Sequence, residues 1–186
     1  MSAGHPGDLL TGVSEPAWRA FVEHVAETLD VGPGTSVFEV GCGAGAFLLP
    51  LDDNGYRVGG IDQSPESVAE AARAMPRGLF SVSAAAALDP AEAWDVVVAC
   101  GTFSTFPDLD YARGVLARMT AKATHAIAVL GLTDLDGASA GKDLAFGRAW
   151  LLREVADAGA SAVQMEELTI DGRVPATPRF NLFVRL

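Results

Sequence analysis

The chain is short of cysteine, of lysine and of long apolar runs. Its two cysteines, Cys42 and Cys100, stand in 186 residues without metal-ligand spacing. That leaves no disulfide framework and no metal site to expect, and it suits a reduced, cytoplasmic protein. No apolar stretch approaches the roughly 20 residues of a membrane helix. The N-terminal Met-Ser-Ala-Gly-His-Pro-Gly has no basic stretch leading into an apolar one, so no signal peptide is expected. Only two of the 13 basic residues are lysine, and 24 acidic residues leave a net charge of -11. Such a field repels phosphate backbones and anionic membrane surfaces, so neither nucleic acid nor membrane is an expected partner.

What the chain does have is apolar material, 49% of its residues, enough for one domain spanning 1–186 with a full core. Residues 1–13 read as a mobile lead-in. Ser14 caps a helix running to about Leu29, with Pro16 in its first turn and Trp18, Phe21, Val22, Val25 and Leu29 on one face. Strands are then expected at Ser36–Val40, Tyr56–Ile61, Leu79–Ser83, Asp95–Cys100 and His125–Leu130. Helices alternate with them: one opening at Ala46–Leu51, one from Ser64-Pro65-Glu66 to about Met75, Leu109–Met119 and Leu144–Ala158. Val163–Ile170 and Phe180–Leu186 lie too close together for a helical crossover and read as an antiparallel hairpin. The alternation predicts an α/β, Rossmann-like layered fold: a mostly parallel seven-stranded sheet, helices on both faces and an antiparallel C-terminal strand.

Chemistry concentrates at Val37-Phe38-Glu39-Val40-Gly41-Cys42-Gly43-Ala44-Gly45, where a strand feeds a glycine turn and then a helix. Glycine lets a ligand approach the backbone, and open α/β sheets bind ligands beyond the carboxyl ends of their strands. Asp62 follows 17 residues after Gly45, at the end of the second strand. A carboxylate there can accept both hydroxyls of a ribose. The spacing is Gly-x-Gly-x-Gly, not the dinucleotide Gly-x-Gly-x-x-Gly. Glu39 beside the turn opposes a pyrophosphate and disfavours a nicotinamide oxidoreductase. It suits a ligand with cationic groups and no phosphate, such as S-adenosylmethionine.

Glu39–Gly45 resembles the first motif of class I S-adenosylmethionine-dependent methyltransferases of the small-molecule type. Gly60-Ile61-Asp62-Gln63-Ser64 resembles their second motif and Trp94–Gly101 their fourth-strand motif, with the order of elements matching from about residue 14 onward. The resemblance implies that Glu39 serves the cofactor's amino group and that Gly41, Cys42, Gly43 and Gly45 line its methionine part. It further implies that Asp62 holds the ribose, that Gln63 packs beside the adenine, and that Cys100 and Gly101 offer carbonyls near the amine. It also implies that the last strand inserts antiparallel beside the fifth. The family often carries an acid after the third strand that bonds the adenine amine. Here that stretch is Ser81–Ala85, and Ser83 or the backbone at Ala84 stands in.

The implied activity is methyl transfer to an oxygen or nitrogen of a small molecule, driven by positioning. No residue announces itself as a general base. Thr102, Ser104 and Asp134 are the polar candidates for orienting the acceptor, and each is as good a turn former. His5 lies in the lead-in, His24 in the first helix, and His125 at the far end of the fifth strand. Arg148, Arg173 and Arg179 are candidates to read an anionic acceptor. Between the fifth strand and the last helix only Thr133–Asp143 are available, so no lid domain is expected. The roof comes from the N-terminal segment, from neighbouring loops, or from a second subunit in a homodimer. A non-methylating, cyclase-like catalyst and a non-catalytic binding module on the same fold remain open alternatives.

Overall fold

The Ser14 hydroxyl accepts the Ala17 amide at 3.4 Å, and Pro16 pre-sets the first turn, so helix α1 (Glu15–Thr28) begins where the sequence places it. Its buried stripe, Trp18, Phe21, Val22 and Val25, packs on one face of the sheet. The computed structural model describes residues 12–136, 143–175 and 177–186. Nearly all of the expected lead-in, with His5, therefore lies outside the described residues, as do Lys142 and most of the loop before the last helix.

The strands are β1 (Ser36–Val40), β2 (Arg57–Asp62), β3 (Leu79–Val82), β4 (Trp94–Cys100), β5 (Ala123–Asp134), β6 (Ala145–Phe146), β7 (Ala162–Glu167) and β8 (Arg179–Arg185). They form one eight-stranded sheet in the order β3-β2-β1-β4-β5-β8-β7, with β6 on the overhang of β5. All neighbours are parallel except β5–β8 and β7–β8. The expected insertion of the last strand beside the fifth is thus observed. So are helices on both faces: α1, α2 (Leu48–Asp53) and α3 (Pro65–Ala74) on one, α4 (Leu109–Lys122) and α5 (Arg148–Asp157) on the other. Each central strand feeds both cores by alternation: Val96 and Val98 face the α1 side, Val97 and Ala99 the α4 side.

Three boundaries need correction. The seven-stranded path of the sheet is as expected, but Ala145–Phe146 adds a short strand on Thr133–Asp134 instead of opening the last helix, which begins at Arg148. β5 runs four residues past Leu130. Gly131, at φ 73°, sits where the β5–β8 register slips and lets the strand continue. Helix α2 starts at Leu48, not Ala46, because the glycine turn takes the intervening residues and the Ala46 carbonyl accepts the Trp18 indole at 2.7 Å.

Candidate active site

The carboxyl ends of β1, β2, β3 and β4 share one edge of the sheet. At that edge Gly41, Gly43 and Gly45 have φ of 77°, 52° and 86°, a region that residues with a side chain rarely adopt. The Gly41 and Cys42 amides both donate to the Ile61 carbonyl, at 2.8 and 2.9 Å, which locks the turn onto the end of β2. A methyl group added at Gly41 would collide with the Thr102 side chain, which lies beside the crevice.

Behind this turn lies Glu39, 2% exposed, with Oε2 bonded to nothing. Burial first, and the nearby Asp62 second, push its carboxyl well above the ordinary carboxylate range. A buried oxygen without a partner costs free energy and marks an unmet capacity. Asp62 is placed differently. Its Oδ2 accepts the Gly43 amide at 2.9 Å and its Oδ1 accepts the Ser64 amide at 2.9 Å. It therefore ties the glycine turn to the start of α3 while also lining the crevice, a bracing task the sequence reading did not include.

The crevice in front of the turn measures ≈ 560 Å³. Gly41, Asp62, Gln63 and Ser83, from the ends of β1, β2 and β3, line it together with Thr102, Thr105, Phe106 and Tyr111, from the segment after β4. Five of the residues singled out from sequence thus meet there: Gly41, Asp62, Gln63, Ser83 and Thr102. Gly43 and Gly45 shape the turn. Ala84 is exposed, and its neighbour Ala85 lines the wall. Cys100 and Gly101 end β4, where the Gly101 amide donates to the Leu130 carbonyl and Thr102 Oγ1 to the Cys100 carbonyl at 3.4 Å. Cys42 turns its thiol into the core against Gly60, which has no Cβ to obstruct it. Burial raises that thiol's pKa above the ordinary range. Both cysteines are free.

Two acceptor-side candidates are not brought to the crevice. Ser104 is buried between Thr133 Oγ1 (3.0 Å) and the Gly131 carbonyl (3.4 Å). Asp134 accepts two hydrogen bonds from Arg148, at 2.8 and 3.2 Å. The arginines are engaged as well. Arg148 reaches Asp134 and Glu167, Arg179 is buried on Asp143 and the Gly131 carbonyl, and Arg173 donates to the Gly12 carbonyl. His24 pairs with Glu166 on the outer surface, and His125 reaches the Leu29 carbonyl. Among the described residues no cluster of His, Cys, Asp and Glu is arranged to hold a metal. No described helix is long and apolar enough to cross a membrane.

Sequence reasoning missed Ser64, Ala85, Thr105, Phe106, Pro107 and Tyr111. A signal existed: Phe103, Phe106 and Tyr111 crowd one loop and the first turn of the next helix, and they pack at tilted angles with centroids 4.8 and 4.9 Å apart. Selecting the polar residues of that loop overlooked its aromatic residues, of which Phe106 and Tyr111 line the crevice.

The family model for a methyltransferase domain matches residues 38–126, just under half of the chain. A nocamycin O-methyltransferase from Saccharothrix syringae is 37% identical over 125 residues, 60% of this chain and 45% of that protein. A ubiquinone biosynthesis O-methyltransferase from a Bradyrhizobium strain is 32% identical over 94 residues, 48% of this chain and 37% of that protein. The chain thus spans less than half the length of these curated relatives. Among solved structures, magnesium protoporphyrin IX methyltransferase from Synechocystis PCC 6803 superposes with a TM-score of 0.76 at 17% identity. That likeness covers 98% of this chain and 89% of that one. The fold is that of the class I S-adenosylmethionine-dependent methyltransferases. The family model's match spans the segment that carries the glycine turn, Asp62 and β4.

Proposed function

We propose that this chain binds S-adenosylmethionine in the ≈ 560 Å³ crevice and transfers its methyl group to an oxygen or nitrogen of a small molecule. The observation that carries the reading is the buried, unpartnered Glu39 Oε2 on the strand that feeds the glycine turn, an acceptor that a ligand ammonium would satisfy. When bound, the cofactor supplies an electrophilic methyl group on a sulfonium. Glu39 meets the ammonium, directly or through water, and Gly41, Cys42, Gly43 and Gly45 present backbone to the methionine part. The carbonyls of Cys100 and Gly101 face the same amine. Asp62 holds the ribose hydroxyls, and Gln63, Ser83 and Ala84 flank the base.

With Ser104 and Asp134 committed to internal bonds, Thr102 is the remaining polar candidate to orient the acceptor. Alignment then supplies the acceleration, up to roughly 7–11 kcal/mol for ideal positioning. The net charge of -11 favours a small acceptor over a polyanion. Two free thiols suit a reducing cytoplasm. A second copy of the chain is one candidate to roof the acceptor side.

S-Adenosylmethionine or its demethylated product raises the melting temperature by mass action, whereas NADH and ATP do not. Asp62→Ala weakens binding by about 1–3 kcal/mol in calorimetry. A stabilising shift with NADH alone, or unchanged affinity in the variant, would overturn the assignment. Transfer of a labelled methyl group to a product, followed by mass analysis, separates a methyltransferase from a non-methylating catalyst or a binding module.

A further inference from the structure

We propose that the Tyr111 hydroxyl reads the edge of the cofactor's base, and that it makes the site accept hypoxanthine as readily as adenine. This rests on the reading of the crevice as an S-adenosylmethionine site.

With the ammonium at Glu39 and the ribose at Asp62, the base must lie at the remaining end of the crevice. The lining residues left for it are Ala85, Phe106, Pro107 and Tyr111, from the loops after β3 and β4 and the first turn of α4. Among the described residues no carboxylate accompanies them. The one carboxylate lining the crevice, Asp62, is at the ribose end with its oxygens on the Gly43 and Ser64 amides. The hydroxyls nearby are already used as donors. Ser83 donates to the Ala84 carbonyl, Thr105 to the Thr102 carbonyl, and Thr102 to the Cys100 carbonyl. Tyr111 differs from these. Its oxygen accepts the Ala86 amide at 3.2 Å, and it donates to no group among the described residues. Its ring is held by Phe106 at 4.9 Å, and its own amide is capped by Asp108 Oδ1 at 2.8 Å, so the hydroxyl is positioned before any ligand arrives.

One proton and one lone pair remain on that oxygen. A carboxylate can only accept, so it selects the adenine amine and repels a carbonyl at the same ring position. A rotating hydroxyl can accept from the amine of adenine or donate to the carbonyl of hypoxanthine. Tyr111 also occupies the Ala86 amide, so that backbone donor is not offered to a base.

The test is calorimetry with S-adenosylhomocysteine and with S-inosylhomocysteine, made from it by enzymatic deamination, on the native chain and on Tyr111→Phe. The native chain is expected to bind the two ligands within about fivefold of each other. Tyr111→Phe is expected to weaken both by about tenfold, the size of one neutral hydrogen bond, while the free protein's thermal unfolding falls only slightly for the loss of the exposed Ala86 bond. Rejection of the inosyl ligand by more than a hundredfold overturns the proposal. So does full affinity in Tyr111→Phe. If Asp62→Ala weakens S-adenosylhomocysteine while Tyr111→Phe does not, the crevice assignment stands and the base reader falls. If the native chain binds neither ligand, both readings fall.

Discussion

Both halves of the sheet's carboxyl edge carry buried polar groups, yet they differ in how those groups are met. On the β1–β2 half, Glu39 Oε2 has no partner and three glycines hold positive φ. On the β5–β6–α5 half, the polar side chains are closed on one another. Ser104 bonds Thr133, Asn181 takes the Gly131 amide at 3.1 Å, and Arg148 and Arg179 sit on carboxylates and a carbonyl. Buried polarity alone therefore does not mark a site. Unmet polar capacity at a backbone shaped for close approach does. The second condition is needed, because Trp94 Nε1 is also unpartnered. That neutral indole lies at the opposite end of β4, with the Arg57 guanidinium 4.4 Å from the ring, and no glycine turn faces it.

The severest way to break the first half is Gly41→Ala. At φ 77° and against Thr102, the added methyl is expected to cost about 3–4 kcal/mol of stability and to abolish cofactor binding. Chemical denaturation and calorimetry measure the two effects. A variant that folds and binds normally would show that the turn is not the ligand's seat. Next comes Glu39→Gln, which keeps the volume and removes the charge. Affinity for the cofactor should fall by about 2–3 kcal/mol, the worth of a hydrogen bond between charged groups. The free protein should melt at about the same temperature, because a neutral amide replaces a carboxyl that burial already keeps protonated. Lower stability with intact affinity would make Glu39 a structural residue.

The second half should respond in the opposite way. Asp134→Asn weakens the bonds from Arg148, and a loss of about 2 kcal/mol in unfolding free energy is expected, with cofactor affinity unchanged. If affinity fell while stability held, Asp134 would return to the list of site residues.

The same contrast explains what could be read from sequence. The β1 motif was legible because glycine spacing, a preceding acid and an acid ending the next strand are local features. The sheet order and the antiparallel last strand followed from the alternation of elements and the family resemblance. What was missed depends on tertiary pairing. Ala145–Phe146 is strand only because β5 overhangs to Asp134. β5 overhangs because Asn181 and Arg179, some 50 residues on, satisfy the amide and carbonyl of Gly131, which in sequence reads as a breaker. Ser104 and Asp134 look available in a sequence because their partners, Thr133 and Arg148, are identified only once the strands are in register.

The smallest expected effect is on pH dependence, and it sharpens the contrast at one atom. An unfolded chain ionises Glu39 near the ordinary value of about 4.3. In the folded protein burial, then Asp62, raise that value well above it. Between the two values the native state holds a proton that the unfolded state has released, so the stability contributed by the neutral carboxyl is lost as pH rises. A ligand ammonium favours the carboxylate and lowers its pKa in the complex. Binding in the same window therefore releases a proton, and affinity rises with pH by at most about 1.4 kcal/mol per unit. Above the raised value the slope vanishes. Measurements are best kept below pH 7, since an α-amino group begins to lose its own proton near 8. Calorimetry of S-adenosylhomocysteine in buffers of different ionisation enthalpy counts the protons directly, and thermal unfolding of the free protein against pH gives the opposing slope. Glu39→Gln should flatten both. Superimposable curves for native chain and variant would mean that Glu39 is already ionised in the free protein, and that the crevice is not waiting for a cation.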